Sequence, residues 1–282
     1  LALGFGDDID SQRDFWEWDQ VNDIWTKKAD YPGNSYSGAV GFSIGTKGYL
    51  GTGFSINGSV TNEFWEYDPV KNTWTEKASL PVSAARTEAV GFSVGNKGYI
   101  GTGYVFTDDE MVNLNDFWEY DPETDNWTEK ASLPVSSARG EAVGFSIGNK
   151  GYIGTGNFTA GIGGTALRDF WEWDQVTNLW TRKADFAGLR RSGAVGFTIG
   201  NKGYIGTGVT LDENGFSNYS SDFWEWDQET NKWTRKADLE GNPRVNAVGA
   251  SIGEKGYIGS GINNDFEWGI IINDFWEYDP DL

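Results

Sequence analysis

Cysteine and histidine are both missing from the 282 residues of the chain. Without cysteine there are no disulfide bonds and no thiol nucleophiles, and without either residue there are no zinc sites of the usual kind and no imidazole bases. Long apolar runs are missing as well, since none approaches the ~20 residues that a membrane-spanning helix needs. No signal-peptide pattern opens the sequence. We therefore expect no transmembrane segment and no chemistry based on thiols or imidazoles.

Positive charge is scarce. The chain has 22 Lys and Arg against 42 Asp and Glu, which gives a formal net charge of −20. Such a chain repels a phosphate polyanion, so nucleic acid is not an expected partner. Aromatic residues make up 16% of the sequence, which argues against disorder because they supply apolar surface for a core. The length suffices for a large core.

What the sequence has in abundance is repetition. A Phe-Trp-Glu triplet recurs every 49 to 53 residues, and each period combines "AVGFSVGNKGYIGTG", a variable stretch, "DFWEYDP" and "NTWTEK" with little change. The triplets begin at Phe15, Phe64, Phe117, Phe170, Phe223 and Phe275. We divide the single domain 1–282 into repeats 1–36, 37–86, 87–139, 140–191, 192–244 and 245–282. The first repeat is incomplete at its start, so we expect an upstream segment.

Each period predicts four short strands. In "AVGFSVG", Val90, Phe92 and Val94 alternate with small residues, which predicts a strand with one bulky face and one small face that another sheet can approach closely. "GNKG" predicts a tight turn into a second strand, "GYIGTG". "DFWEYD" and "WTEK" predict a second hairpin around the turn residues of "PETDN". Four strands in about 50 residues, without helical periodicity, are typical of a propeller blade.

Over essentially its whole length the chain resembles the kelch-repeat proteins. The resemblance lies in "GYIGTG", the Tyr-Asp-Pro that follows and the spaced tryptophan, although this chain has Gly-Thr-Gly or Gly-Ser-Gly where kelch repeats carry a diglycine. It implies an all-β, kelch-type β-propeller. It is greatest to secreted or surface kelch proteins of bacteria, so we expect an extracellular or cell-surface location. Kelch proteins differ widely in function, so the resemblance implies little about activity.

The number of blades follows from counting strands. The inner strand "AVG" occurs five times and the Phe-Trp-Glu strand six times. We predict six blades, of which the first lacks its inner strand and the last its outer strand, with "LALGFG" as the second strand of the first blade. The alternative is five blades closed by an N-terminal outer strand, which leaves residues 1–18 without a place.

The repeated aromatic residues are predicted to be core. One tryptophan follows each of the first five triplets at a fixed distance, as an interface copied between successive blades requires. These residues are Trp25, Trp74, Trp127, Trp180 and Trp233.

Only the stretch between Gly-Thr-Gly and the triplet varies in length, from 7 to 13 residues. Variable loops on a fixed scaffold are the usual place for binding, and in a four-stranded blade they share a face with the links between blades. Aromatic side chains beside acids in these loops suit a glycan or a protein partner. The alternative is that the rings cover their own loops. The candidates are Tyr104, Phe106, Phe158, Phe216, Tyr219, Phe266 and Trp268.

Four arginines stand three residues before the inner-strand alanine, where the first link has Tyr36. They are Arg86, Arg139, Arg191 and Arg244. A ring of arginines could grip a carboxylate or sulfate group, and the resemblance allows contact with an acidic peptide, as in some kelch propellers. The alternative, which a copied position favours, is structural: each arginine pairs with a neighbouring carboxylate such as Glu88 or Glu141, or caps carbonyl groups between blades.

Metal and catalytic sites have weaker support. The acidic stretches 7–10, 107–110 and 211–214 offer oxygen ligands suited to Ca²⁺, but none matches the twelve-residue calcium loop, so we expect no cofactor and keep Ca²⁺ as an alternative. The copper chemistry of a kelch-type oxidase is excluded because it needs histidine and cysteine.

We predict a non-enzymatic, extracellular propeller that binds a protein or a glycan, and we leave open whether it is part of a larger surface assembly. A glycan-active enzyme using Asp and Glu is the alternative.

Overall fold

Short antiparallel strands make up almost all of the regular structure. The computed structural model describes residues 13–55, 57–107, 110–159, 164–212, 214–263 and 270–280, except for the side chains of residues 35, 36 and 159. The chain divides into two units, Leu1–Lys130 and Ala131–Leu282. Short 3₁₀ helices at Val82–Ala84 and Val135–Ser137 interrupt the strands. Among the described residues no helix is long and apolar enough to cross a membrane.

Unit 1 contains two four-stranded sheets and a preceding hairpin. In chain order its strands are β1 (Trp16–Asp19), β2 (Ile24–Lys27), β3 (Ser35–Ser37), β4 (Val40–Ile44), β5 (Lys47–Gly51), β6 (Phe54–Ser55), β7 (Phe64–Asp68), β8 (Thr73–Glu76), β9 (Val90–Val94), β10 (Lys97–Gly101), β11 (Tyr104–Phe106), β12 (Met111–Asn113), β13 (Phe117–Asp121) and β14 (Asn126–Lys130). The large sheets have the orders β4-β5-β7-β8 and β9-β10-β13-β14, and β1 pairs with β2.

Unit 2 continues the same pattern. Its strands are β15 (Val143–Ile147), β16 (Lys150–Gly154), β17 (Asn157–Thr159), β18 (Gly164–Ala166), β19 (Phe170–Asp174), β20 (Leu179–Arg182), β21 (Arg190–Ser192), β22 (Val195–Ile199), β23 (Lys202–Gly206), β24 (Val209–Leu211), β25 (Ser217–Tyr219), β26 (Phe223–Asp227), β27 (Lys232–Lys236), β28 (Val248–Ile252), β29 (Lys255–Gly259), β30 (Ile262–Asn263), β31 (Ile270–Ile271) and β32 (Phe275–Tyr278). Its large sheets have the orders β15-β16-β19-β20, β22-β23-β26-β27 and β28-β29-β32.

The predicted four-stranded repeat is confirmed. In the β9-β10-β13-β14 sheet the inner strand pairs with the second, the second with the third and the third with the outer strand, always antiparallel. Within the described residues the first repeat has only its third and outer strands, and the last has its first three. This matches the expected incomplete repeats at both ends. The segment "LALGFG", predicted as a second strand, lies outside the described residues.

Successive sheets within a unit pack bulky face on small face, as the alternation in "AVGFSVG" predicts. The ring of Phe42 lies against Gly98 of the next sheet so closely that a Cβ atom there would be 2.4 Å from Phe42 Cε2. In unit 2, Phe145 lies against Gly203 in the same way, and Phe197 against Gly256. Glycine is therefore required at this position because the ring of the preceding sheet occupies the space of a side chain.

The repeated tryptophans also join successive sheets. Trp127 is buried, and its ring lies edge-on to Phe64 of the preceding sheet at 4.9 Å between centroids. Its Nε1–H donates to the carbonyl oxygen of Ala78 at 2.7 Å, while Asp125 Oδ1 accepts the Ala78 N–H at 3.0 Å. Trp233 repeats the contacts on Phe170 and Ala184. Trp127 is thus buried as predicted, whereas Trp25, Trp74, Trp180 and Trp233 are half-buried, and Trp233 packs against the core of unit 2.

One inner strand departs from this pattern. Val248 and Ile252 of β28 are each 44% exposed, whereas Val195 and Ile199 at the same positions of β22 are 2% and 6% exposed. The ring position of β28 holds Ala250 instead of phenylalanine. In unit 2 the β28 sheet is the last of the series, so none of the described sheets of the unit follows to cover this face.

Candidate functional site

In the second to sixth repeats, the described part of each variable stretch pairs with the link that precedes its blade. In the fifth repeat, link strand β21 pairs with β24 of the β24–β25 hairpin, so that Arg191 lies opposite Thr210. In the third repeat, Thr87 of the link and Tyr104 of β11 exchange backbone hydrogen bonds of 3.0 Å. Isolated bridges make the same connection in the fourth and sixth repeats. The links and the variable stretches therefore lie together, as the blade topology predicts.

The Gly-Thr-Gly motif directs the chain from the blade into the variable stretch. Thr102 and Gly103 both have positive φ, at 59° and 90°. A Cβ atom on Gly103 would lie 2.5 Å from the carbonyl oxygen of Thr87, so this position needs glycine both for its backbone conformation and for the close approach of the link. The Gly-Thr-Gly motif, which stands where kelch repeats carry a diglycine, thus determines where each hairpin begins.

The four repeated arginines lie beneath these hairpins and are completely buried. In the fourth repeat, Arg139 Nε donates to the carbonyl oxygen of Ser137 at 2.8 Å, Nη1 to that of Thr155 at 2.8 Å, and Nη2 to Asp169 Oδ2 at 2.6 Å. The other three make the equivalent bonds. The ion pairs are Arg86–Asp116, Arg139–Asp169, Arg191–Asp222 and Arg244–Asp274. Each arginine thereby joins the link, the end of the second strand and the start of the third.

Three of these aspartates, Asp169, Asp222 and Asp274, have lowered pKa values and are held in their charged form. Burial alone would raise the pKa of Asp222, but the hydrogen bonds and charge of Arg191, with added bonds from Trp224 and Ser220, outweigh burial and hold that pKa at about 2. The pKa of Asp169 is lowered for the same reasons by Arg139. A buried guanidinium without such a partner would be strongly destabilising.

The structure therefore places the four predicted ligand-binding arginines in the scaffold, with 0% exposure. The structural alternative had named Glu88 and Glu141 as partners, and this was wrong, because the paired carboxylates belong to aspartates 30 or 31 residues further along the chain. Glu88 has a left-handed backbone with φ of 50°, and its N–H donates to the Gly38 carbonyl of the preceding link at 3.0 Å.

In the first link, hydrogen bonds from uncharged donors replace this ion pair. The acid before the second triplet is Glu63, which accepts a hydrogen bond from the Tyr31 hydroxyl at 3.2 Å and one from the Asn34 N–H at 2.5 Å. Tyr36, the predicted ligand residue of this link, belongs to β3, and its side chain lies outside the described part.

The exposed candidates lie on the hairpins. In unit 1, the side chain of Phe106 on β11 is 47% exposed, and Tyr104 on the same strand is half-buried. Phe54, from the neighbouring β6, has its ring centroid 5.6 Å from that of Phe106 at an angle of 75°. The ring of Tyr104 also lies 5.6 Å from Phe106, at 81°. Three rings of two successive repeats thus meet on this surface.

The candidates of unit 2 are more scattered. Phe158 on β17 is 36% exposed, Phe216 in the β24–β25 turn is 68% exposed, and Tyr219 on β25 is half-buried. Among the described residues no ring contact joins them. Phe266 and Trp268, the candidates of the last repeat, lie outside the described residues.

The repeated glutamates of the triplets are structural. The hydroxyl groups of Tyr49, Tyr99, Tyr152, Tyr204 and Tyr257 donate to the triplet glutamates at 2.6 to 2.9 Å. Lys150 and Lys183 add ion pairs to Glu172. These acids bond within their own sheets.

The acidic loops show no metal-binding geometry where they are described. Asp212 Oδ1 accepts the N–H groups of Asn214 and Phe216, both at 2.8 Å, and so shapes its own turn. Within the described ranges no group of three acidic side chains is arranged to hold a metal ion. Residues 7–10, 108–109 and 213 lie outside those ranges.

The sequence analysis did not identify the carboxylate that pairs with each buried arginine. In five of the six repeats an aspartate stands directly before the Phe-Trp-Glu triplet, as Asp116 does before Phe117. This regularity could have predicted the ion pair, because a buried arginine in every repeat needs a carboxylate that is also repeated.

Comparison with known proteins supports the architecture. The solved structure of YjhT superposes on the chain with a TM-score of 0.78, covering 95% of this chain and 89% of that chain at 18% sequence identity. No protein-family model matches the sequence, and no curated protein matches it. Together with the four-stranded sheets, the similarity shows a β-propeller-like all-β fold. At this identity it carries no information on function.

Proposed function

We propose that the chain is a six-bladed, kelch-type propeller that binds a protein or a glycan outside a bacterial cell or at its surface, without catalysis or a resident cofactor. The six triplets and the two complementary incomplete repeats support six blades. The kelch assignment rests on the repeated motifs. The extracellular location rests on the resemblance alone.

The observation that carries the binding function is the contrast between the hairpins and the structure below them. The copied arginines, glutamates and tryptophans are used in bonds within the scaffold, whereas Phe106, Phe158 and Phe216 keep a third or more of their side chains exposed on hairpins of differing length. Exposed aromatic residues on ordered loops are typical of recognition surfaces.

The test is a binding screen of the full chain against surface proteins and glycans, followed by two sets of variants. Replacing residues 107–112 or 211–215 by a short Gly-Ser turn is expected to weaken binding. The matched control changes the opposite turns, with Lys97, Lys150 and Lys202 replaced by Gln. These lysines pair with acids of their own sheets, so ligand affinity should be unchanged.

Two results would contradict the proposal. Loss of binding in the lysine variant together with normal binding in both hairpin variants would place the site on the other face. Release of a sugar product from a glycan by the wild-type chain, abolished by an Asp or Glu substitution, would establish the glycan-active enzyme instead.

A further inference from the structure

An apolar patch stands out on the hairpin surface of unit 1. We define the aromatic patch as Phe54, Tyr104, Phe106 and Met111. Phe106 is its centre, with the rings of Phe54 and Tyr104 edge-on at 5.6 Å. Met111 lies directly opposite Phe106 across the β11–β12 pair, so both side chains share one face of the hairpin. Nearly half of the Phe106 side chain nevertheless remains exposed.

The hairpin that carries the patch is held by its own bonds. Thr107 N–H donates to the Glu110 carbonyl at 2.9 Å, the Thr107 hydroxyl donates to the same carbonyl at 3.0 Å, and Glu110 N–H donates to the Thr107 hydroxyl at 3.2 Å. The hairpin is also joined to the link through Thr87. An ordered surface loses little conformational entropy on binding, which favours a role in recognition.

The charge around the patch has one sign. Residues 104–116 contain four acids and no Lys or Arg, and residues 52–63 contain only Glu63. Asp116 is paired with the buried Arg86, but Glu110 is exposed and has no ion pair among the described residues. The whole chain carries −20. Cations are therefore attracted to this hairpin and anions are repelled.

We propose that the aromatic patch binds a basic peptide segment of a protein partner. The aliphatic stems of Lys or Arg would pack on Phe106 and Met111, their charged groups would lie near the rings, and the exposed carboxylate of Glu110 would accept their hydrogen bonds. This inference rests on the proposed function. Of the two ligand classes named there, it selects a protein and not a glycan. A neutral glycan would use the rings but gain nothing from the charge.

The test measures the fluorescence anisotropy of a labelled short peptide of alternating Arg, Lys and Gly against the full chain, with a matched Gln-for-Lys/Arg peptide and a neutral oligosaccharide as probes. We expect binding of the basic peptide only. Its affinity should fall steeply as ionic strength rises from about 0.01 M to about 0.1 M, which shortens the Debye length from about 30 Å to about 10 Å.

Phe106→Ala should weaken this binding about tenfold, equivalent to about 1.4 kcal/mol. Glu110→Gln should weaken it by a smaller factor and reduce the salt dependence. Val70→Ala is the control, because Val70 is 92% exposed but lies in the turn between β7 and β8 and not on a variable stretch, and it should bind as the wild type does. Equal melting temperatures for the variants would show that folding is intact.

Several outcomes would overturn the inference. Equal loss in Phe106→Ala and Val70→Ala, salt-independent binding, or oligosaccharide binding through Phe106 would each do so while leaving the proposed function in place. Absence of basic-peptide binding, with another ligand lost on deletion of residues 107–112, would also refute only the inference. If replacement of residues 107–112 and of 211–215 leaves the binding of every ligand unchanged, both the inference and the proposed function are refuted.

Discussion

The large sheets and the hairpins of this chain follow opposite rules. In the large sheets and the links between them, most equivalent positions hold the same residue and make the same contact, as Arg139 and Arg191 do with their aspartates. On the hairpins, equivalent stretches differ in length and in the exposure of their rings, as Phe106 and Phe216 do. A residue that must fit an identical neighbour in every repeat is constrained by packing. A residue that faces solvent is constrained only by what binds it.

The largest expected effect comes from breaking a buried ion pair of the sheets. Arg191→Ala should lower the free energy of unfolding by about 3–5 kcal/mol, because it leaves the Asp222 carboxylate without its buried partner. The adjacent, exposed Arg190→Ala is the control and should change it by less than about 0.5 kcal/mol. Urea denaturation of both variants measures the difference. Similar losses at the two positions would contradict the structural role of the buried arginines.

A second comparison uses two equivalent inner-strand positions. Ile199→Ala on β22 should cost about 2–5 kcal/mol, the range for truncating a buried isoleucine. Ile252→Ala on β28 should cost clearly less, because that side chain is 44% exposed. Thermal and urea unfolding of both variants measure the two free-energy losses. Equal costs would indicate that a further sheet covers β28 in solution.

Acid should weaken the sheets through the same ion pairs. The pKa of Asp222 is about 2 in the folded chain, below the ~3.9 of an unfolded aspartate, so its contribution is present above pH ~4 and is lost as the pH falls towards ~2. The loss should be on the order of 2 kcal/mol. Asp222→Asn should be less stable than the wild type at pH 7, with the gap narrowing at low pH. A constant gap from pH 7 to 2 would argue against this linkage.

The smallest effect is expected on the hairpins. Phe216→Ala should change the free energy of unfolding by less than about 0.5 kcal/mol, because the ring is 68% exposed and supports no other described ring. Differential scanning calorimetry against the wild type measures this. A loss near that of Ile199→Ala would mean that Phe216 covers its own loop, the alternative considered for these rings.

Several features followed from the sequence without the structure. The alternation of Val90, Phe92 and Val94 with small residues predicted a strand packed closely on both sides, and the contact of Phe42 with Gly98 shows why, since a ring of one sheet needs a position without a side chain in the next. The fixed place of Trp127 predicted a copied interface. In both cases the repeat itself is the signal, because a stack of identical units can only use contacts that recur.

Other features were decided by tertiary structure. The sequence indicated Glu88, two residues from Arg86, as its partner, but the partner is Asp116, 30 residues further along the chain. Only the pairing of link and hairpin brings the start of the third strand under the guanidinium. The exposure of Phe106 and of Ile252 was likewise not readable from the sequence, because it depends on whether another sheet or hairpin lies against the residue, and identical strand patterns occur with and without such a neighbour.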